Sequence, residues 1–301
     1  MYTLTCCRTK GSLWKVCKLQ SRYNSFQYCR ELVRKRDHDG YLSLLLLPQE
    51  QRPIAFTAHA FNIEIAQIQE QTTEVQTAKG RIEFWSRGLQ DTYRGYPPAH
   101  PVLISLALCL EKSLVSRKWF DRLISVRKQH LSDLPFMTLH DAEEYGEYTV
   151  SSLYYILLEN IQCADLSAEH AASHLGKACS LATLIRSAPY FVQKRKVFLP
   201  TELCHHHSVS HEDVIRQKNR EGVLEVIYDT ASQAFVHLEH VQKSLPTLPP
   251  QCQRIFLPSV SCSMFLEHLR RVEFDIYSSK FNKKQWILPL KLWMASLKMK
   301  S

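Results

Sequence analysis

Three features of the 301-residue chain predict an all-α fold. Apolar residues recur at three- and four-residue steps over long stretches. No stretch alternates with the period of two that a half-buried strand needs, and no Asn-Gly pair marks a hairpin. With 45% apolar and 22% charged residues the chain has enough apolar material for one large core, so one domain with an N-terminal extension is expected.

The extension carries most of the charge. Residues 1–30 hold Arg8, Lys10, Lys15, Lys18, Arg22 and Arg30 and no acid, the first carboxylate being Glu31. Taking these six from the 38 basic residues leaves 32 against 29 acidic ones, which lowers the net charge from +9 to +3. The body has no basic stripe with interleaved aromatics, so nucleic acid is not an expected partner. An acid-free Arg/Lys/Ser start has the composition of a mitochondrial presequence, placed here at residues 1–25, with a disordered basic tail as the alternative. Residues 26–301 form the expected domain. The longest apolar run, Val102 to Leu110, is about half of the ~20 residues that a membrane span requires. Membrane contact is therefore expected to be peripheral. Ten cysteines are scattered without a C-x-x-C pair, which suits reduced, mostly buried thiols.

The stretch SFQYCRELVRKRDHDGYLSLLLLP predicts a helix ending near Gly40 and then a short apolar segment stopped by Pro48. From Gln49 to about Thr77, Ile54, Ala55, Phe56, Ala58, Phe61, Ile65 and Ile68 mark one face of a long helix. The next turns Ile82, Trp85 and Leu89 inward. Two helices are expected within 101–130, the second opened by Ser116 as N-cap. TLHDAEEYGEYTVSSLYYILLEN supplies a mid-chain helix. Another, from Glu221 to Val241, is marked by Val223, Val226, Ile227, Ala231, Ala234, Phe235 and Leu238, and CSMFLEHLRRVEFDIYSSK and LPLKLWMASLK close the chain. His170 and His174, four apart, and the cluster Cys204-His205-His206-His207 raise the question of zinc. No third ligand accompanies the pair and the cluster reads as an exposed polar loop, so no metal is expected.

The central stretch, LGKACSLATLIRSAPYFVQKRKVFLP from Leu175 to Pro200, resembles without a gap the second substrate motif of the squalene/phytoene synthases, LGxAxQLTNxLRDxxEDxxxGRxYLP. Leu175, Gly176, Ala178, Leu181, Arg186, Leu199 and Pro200 match. The resemblance extends over about residues 26–295 and implies an isoprenoid-synthase bundle of helices around a central cavity. In that family two aspartates in D-x-x-x-D spacing lie one turn apart on one helix face. Ser187 and Phe191 stand at their positions here. The first aspartate motif, A-F-C-R-x-x-D-D-x-x-D, corresponds to Ala60 through Glu70, with Ile63 for the arginine, Ala66 and Gln67 for the paired aspartates, and Glu70 the remaining acid. Mg²⁺ is held by oxygen ligands, chiefly carboxylates, which a methyl, a hydroxyl or a phenyl ring does not replace.

What the resemblance implies is thus a pseudoenzyme without catalytic residues, metal or cofactor. Tyr154 replaces a glycine and should fill substrate space, and a cavity lined by Phe61, Phe191 and Tyr154 is either open to an apolar tail or packed shut. Arg186, Lys194, Arg195 and Lys196 stand where the family holds diphosphate and are candidate anion contacts. Within the family, the phrases HAASHLGKA, RKVFLP, VIYDTASQA and RRVEFDI resemble a degenerate mitochondrial branch that assembles respiratory complex I. That branch implies complex I subunits or assembly intermediates as partners and a matrix location, peripheral on the inner membrane. Two alternatives stay open: a carrier of a prenyl or quinone-like apolar lipid, and a prenyl diphosphate transferase whose site has been rebuilt from Glu64, Glu70 and Glu147.

Overall fold

A computed structural model describes residues 24–72, 74–132, 134–281 and 285–299. Apart from residues 24 and 25, the expected leader lies outside them. Every regular element among the described residues is helical. Helix α1 runs over residues 24–36 and is followed by α2 (His38–Leu45). The break falls at Asp37, whose side chain accepts the Gly40 N–H at 2.9 Å and caps α2. Gly40, expected to end a helix, is therefore inside one. A Cβ there would lie 2.1 Å from the Asp37 carboxylate, so the cap itself requires glycine.

Next come α3 (Arg52–Gln71), α4 (Val75–Tyr93), α5 (Pro101–Leu110) and α6 (Arg117–Gln129). The apolar face expected of α3 is buried from Ile54 to Ile68, and Ile82, Trp85 and Leu89 of α4 point inward as expected. Ser116 occupies the N-cap of α6, but its hydroxyl bonds the Glu159 carboxylate and not the helix end.

The mid-chain helix is three pieces in line: α7 (Leu139–Gly146), a π-helical turn (Glu147–Ser151) and α8 (Ser152–Asn160). The central motif lies on α9 (Leu166–Gln193), against which α12 (Arg220–Ser244), α7, the π turn, α8 and α14 (Pro258–Arg271) all pack. Short helices α10 (Thr201–His206) and α11 (His211–Arg216) precede α12, α13 (Pro250–Gln253) precedes α14, and α15 (Leu288–Lys298) closes the described chain.

The Cys204–His206 stretch is thus helical, with Cys204 buried, where a loop was expected. His207 continues from it to bond Asp229 of α12 at 2.7 Å. On α12 the expected apolar set is buried except Phe235, which is 53% exposed. Apolar side chains gather in one core around α3 and in a second around the middle and end of α9.

Candidate functional site

The residues read as counterparts of the two aspartate motifs lie on α3 and α9. Ala66 and Gln67 are half-buried on the last turns of α3, and Glu70 is exposed beside them. The Gln67 carbonyl accepts the Gln71 amide at 3.0 Å, while its own amide nitrogen is buried with no hydrogen-bond partner. A cation site needs lone pairs aimed inward; this position presents a methyl group and an N–H donor. On α9 the Ser187 hydroxyl donates to its own helix at the Leu184 carbonyl, 3.0 Å away. Phe191 packs edge-on against Phe198, with ring centroids 4.7 Å apart. Neither offers a ligand to metal.

One contact joins the two positions. Tyr190, next to Phe191, directs its hydroxyl to the Glu70 carboxylate at 3.5 Å, and Lys194 one turn on bonds the same hydroxyl at 2.5 Å. An aromatic ring and an ammonium thus stand beside Glu70. The Tyr190 hydrogen bond also raises the affinity of the Lys194 ammonium for its proton. Sequence reasoning named Glu70 and Lys194 but missed Tyr190. The signal was its place in the motif, at the family's glutamate one residue before the second aspartate.

The three carboxylates that a rebuilt site would need are engaged separately. Glu64 accepts the Tyr28 hydroxyl at 2.5 Å. Glu147, on the π turn, accepts Tyr155 at 2.8 Å and Ser173 at 2.7 Å and faces Arg122 at 3.4 Å. Burial pushes its carboxyl up, but the Ser173 and Tyr155 hydrogen bonds and the Arg122 charge outweigh burial and hold it below the usual carboxylate range. That is the chemistry of a structural anchor. Among the described residues no group of three or more His, Cys, Asp or Glu side chains is placed to hold a metal ion.

The expected cavity-lining residues fall in separate places. Phe61 is fully buried between Trp85 and Phe120, each edge-on with centroids 5.1 Å away. Tyr154 is buried on α8 and donates to the Cys179 sulfur at 3.8 Å. Phe191, with Leu184, Val197 and Phe198, borders a narrow crevice near the end of α9. Phe61 and Tyr154 are thus buried in the interior, while Phe191 borders the crevice. A larger hollow of about 720 Å³ lies elsewhere, between the end of α4, α5 and the segment through Ser116.

The basic residues are also divided. Arg186 pairs with Asp39 at 3.0 Å and lies over the Phe265 ring. Arg195, at φ 58°, faces Glu212 at 3.3 Å, and Lys196 borders the Phe191 crevice. Of the candidate pair, His170 is exposed and His174 half-buried. His174 meets His237 of α12, nitrogen to nitrogen at 2.8 Å, and stacks on His240. Burial and the neighbouring His237, His240, Lys177 and His170 charges push the His174 imidazole down to about 4. His237 in turn bonds Glu143 at 2.9 Å.

A helical bundle with this order of elements, and with motif remnants on the third and ninth helices, defines a synthase scaffold. The squalene/phytoene synthase family matches residues 33–293, and the chain belongs to that family. Among its relatives, the human protein "NADH dehydrogenase (ubiquinone) complex I, assembly factor 6" is 40% identical over 89% of this chain and 81% of its own. The Drosophila melanogaster homolog of that factor is 37% identical over 90% and 83%. A solved dehydrosqualene synthase shares the fold, with a TM-score of 0.79 at 19% identity over 93% of this chain and 98% of that one.

Proposed function

We propose that this chain is a non-catalytic assembly factor for mitochondrial respiratory complex I. It acts early in building the membrane arm, through contacts with complex I subunits or assembly intermediates. Residues 1–25 serve as its presequence, and the folded body works in the matrix, peripherally on the inner membrane. The observation that carries this reading is the donor set at the two motif positions: a methyl, an orphaned amide N–H, a self-satisfied hydroxyl and a phenyl ring. Ionising an allylic diphosphate requires metal to neutralise the leaving group. Each ~1.4 kcal/mol of lost transition-state stabilisation is tenfold in rate, so loss of the metal site costs prenyl transfer many powers of ten. The names of the human and fly relatives support the assembly role.

A carrier of prenyl or quinone-like lipid is the weaker reading, because Phe61 and Tyr154 occupy interior volume that such a tail would need. The test is rescue in cells of the source organism from which the gene has been deleted. The chain and its Glu70→Gln variant should both restore fully assembled complex I on native gels. Failure of the parent chain would overturn the assembly role, and failure of Glu70→Gln alone would overturn its non-catalytic character.

A further inference from the structure

Helix α15 has two apolar faces, and the fold uses one. Leu288, Leu292, Ser296 and Met299 are buried, Leu288, Leu292 and Met299 in a small cluster with Leu257 and Met264, at the four-residue step that keeps side chains on one side of a helix. On the opposite side Trp286 is 88% exposed, Trp293 52% and Leu297 65%, with Ile287, Leu290 and Met294 about half exposed. At 3.6 residues per turn the four helical side chains Leu290, Trp293, Met294 and Leu297 span an arc of roughly 100° facing away from the buried one, and Trp286 and Ile287 lie in the turn just before the helix. Single exposed apolar residues need no explanation. Six within one helix and the turn that leads into it, two of them tryptophans, are a concentration of the kind that marks an interaction surface.

The surrounding charge says what covers it. Lys291 and Lys298 follow the apolar arc along one edge, both exposed. From residue 276 to residue 301 the chain has six lysines and no acid. A partner must therefore accept tryptophan and leucine at the centre and ammonium groups at the rim. Amphipathic helices that lie in the plane of an anionic bilayer have this composition: indoles at the headgroup level, aliphatic side chains below, and lysines reaching to lipid phosphates. No helix among the described residues is long and apolar enough to cross a membrane, so the contact is interfacial.

We infer that α15 and the turn before it form a membrane-docking element, which inserts Trp286 of the turn and Leu290, Trp293 and Leu297 of the helix into the interface of an anionic lipid bilayer. This deepens the peripheral association proposed above and gives it a location on the molecule. Docking there leaves the α3 and α9 motif positions to other surfaces of the bundle.

The test is cosedimentation of the full chain with vesicles of phosphatidylcholine alone and of phosphatidylcholine with about a fifth phosphatidylglycerol. The parent should bind the anionic vesicles in preference, with a blue shift of tryptophan emission. Trp293→Glu/Leu297→Glu should weaken that binding at least about tenfold without altering the thermal melt, because both side chains are exposed. Lys291→Glu/Lys298→Glu should reduce the preference for anionic over neutral vesicles. The basic N-terminal segment is common to all variants and cannot produce these differences. Equal binding by parent and Trp293→Glu/Leu297→Glu would overturn the inference. So would a parent that ignores vesicles but forms a dimer which the same substitution dissociates, since a second copy would then cover the face. Vesicle binding is measured on purified protein, so its failure leaves the assembly reading standing, and failure of gene rescue leaves the docking result standing.

Discussion

Gly176 of α9 lies directly against Ser151 of the π turn. A Cβ built on Gly176 would be 2.0 Å from the Ser151 hydroxyl oxygen and 2.4 Å from its backbone nitrogen. The Ser151 hydroxyl donates past it to the Ser173 carbonyl at 3.1 Å. Gly146 repeats the arrangement one turn and more away, where a Cβ would meet Ser180 at 2.7 Å. The central helix and the mid-chain helix touch along their backbones. Gly176→Ala should therefore force them apart and destabilise the fold by about 3 kcal/mol, the upper range for overpacking. Denaturant titration checks this, with Gly80→Ala as the contrast: nothing lies within 4 Å of a Cβ at Gly80, and alanine should stabilise that helix slightly.

Glu159 ties the start of α6 to the end of α8. It accepts the Ser116 N–H at 2.8 Å, the Ser116 hydroxyl and the Trp119 indole N–H at 2.9 Å. Glu159→Ala should cost about 2 kcal/mol by leaving partly buried donors unpaired, and Glu159→Gln less than half as much. Thermal melts of the two variants give the comparison.

His174 makes stability depend on pH. Its imidazole is held down to about 4 in the folded chain and returns to its ordinary value near 6.5 when unfolded. Between these values the unfolded chain binds more protons, so stability is complete above pH 6.5 and is lost as pH falls toward 4. Partial solvent screening limits the contribution to ~1 kcal/mol. His174→Gln should flatten that part of the stability profile, measured by urea unfolding from pH 7 to pH 4.

Returning acids to α9 alone should not return metal binding. Phe191→Asp with Ser187→Asp removes the packing of Phe191 on Phe198 and should cost about 2–3 kcal/mol. The α3 face would still present Ala66 and Gln67. Calorimetry with Mg²⁺ should show no binding to this variant.

The family and its helices were legible because the ungapped match from Leu175 to Pro200 and the apolar steps of α3, α4 and α12 are local patterns. That Ala66, Gln67, Ser187 and Phe191 carry no carboxylate was equally plain, since that is a matter of residue type. What the sequence hid depends on which neighbour arrives. Gly40 reads as a helix stop until the Asp37 side chain is seen to fill the space a Cβ would take. The π turn at Glu147–Ser151 has no signature in residue type, and the contact of its Ser151 with Gly176 is seen only once the two helices are packed. Phe235 follows the apolar period of α12 and yet faces outward, and both faces of α15 are apolar. Periodicity gives the direction of a side chain around its own helix and does not say which directions the rest of the fold covers. Which rings meet Phe61 and Phe191 was equally hidden: Phe61 packs on Trp85 and Phe120, and Phe191 on Tyr190 and Phe198.

The central claim is that a prenyl-synthase fold persists here without its metal chemistry. Its most direct test is calorimetric titration of the body, residues 26–301, with farnesyl or geranylgeranyl diphosphate in the presence and absence of Mg²⁺, with diphosphate release assayed in parallel. No metal-dependent binding and no release are expected. Metal-dependent binding with turnover would contradict the account, and would mean that carboxylates engaged elsewhere in this structure, Glu64, Glu70 or Glu147, leave their partners to rebuild a site.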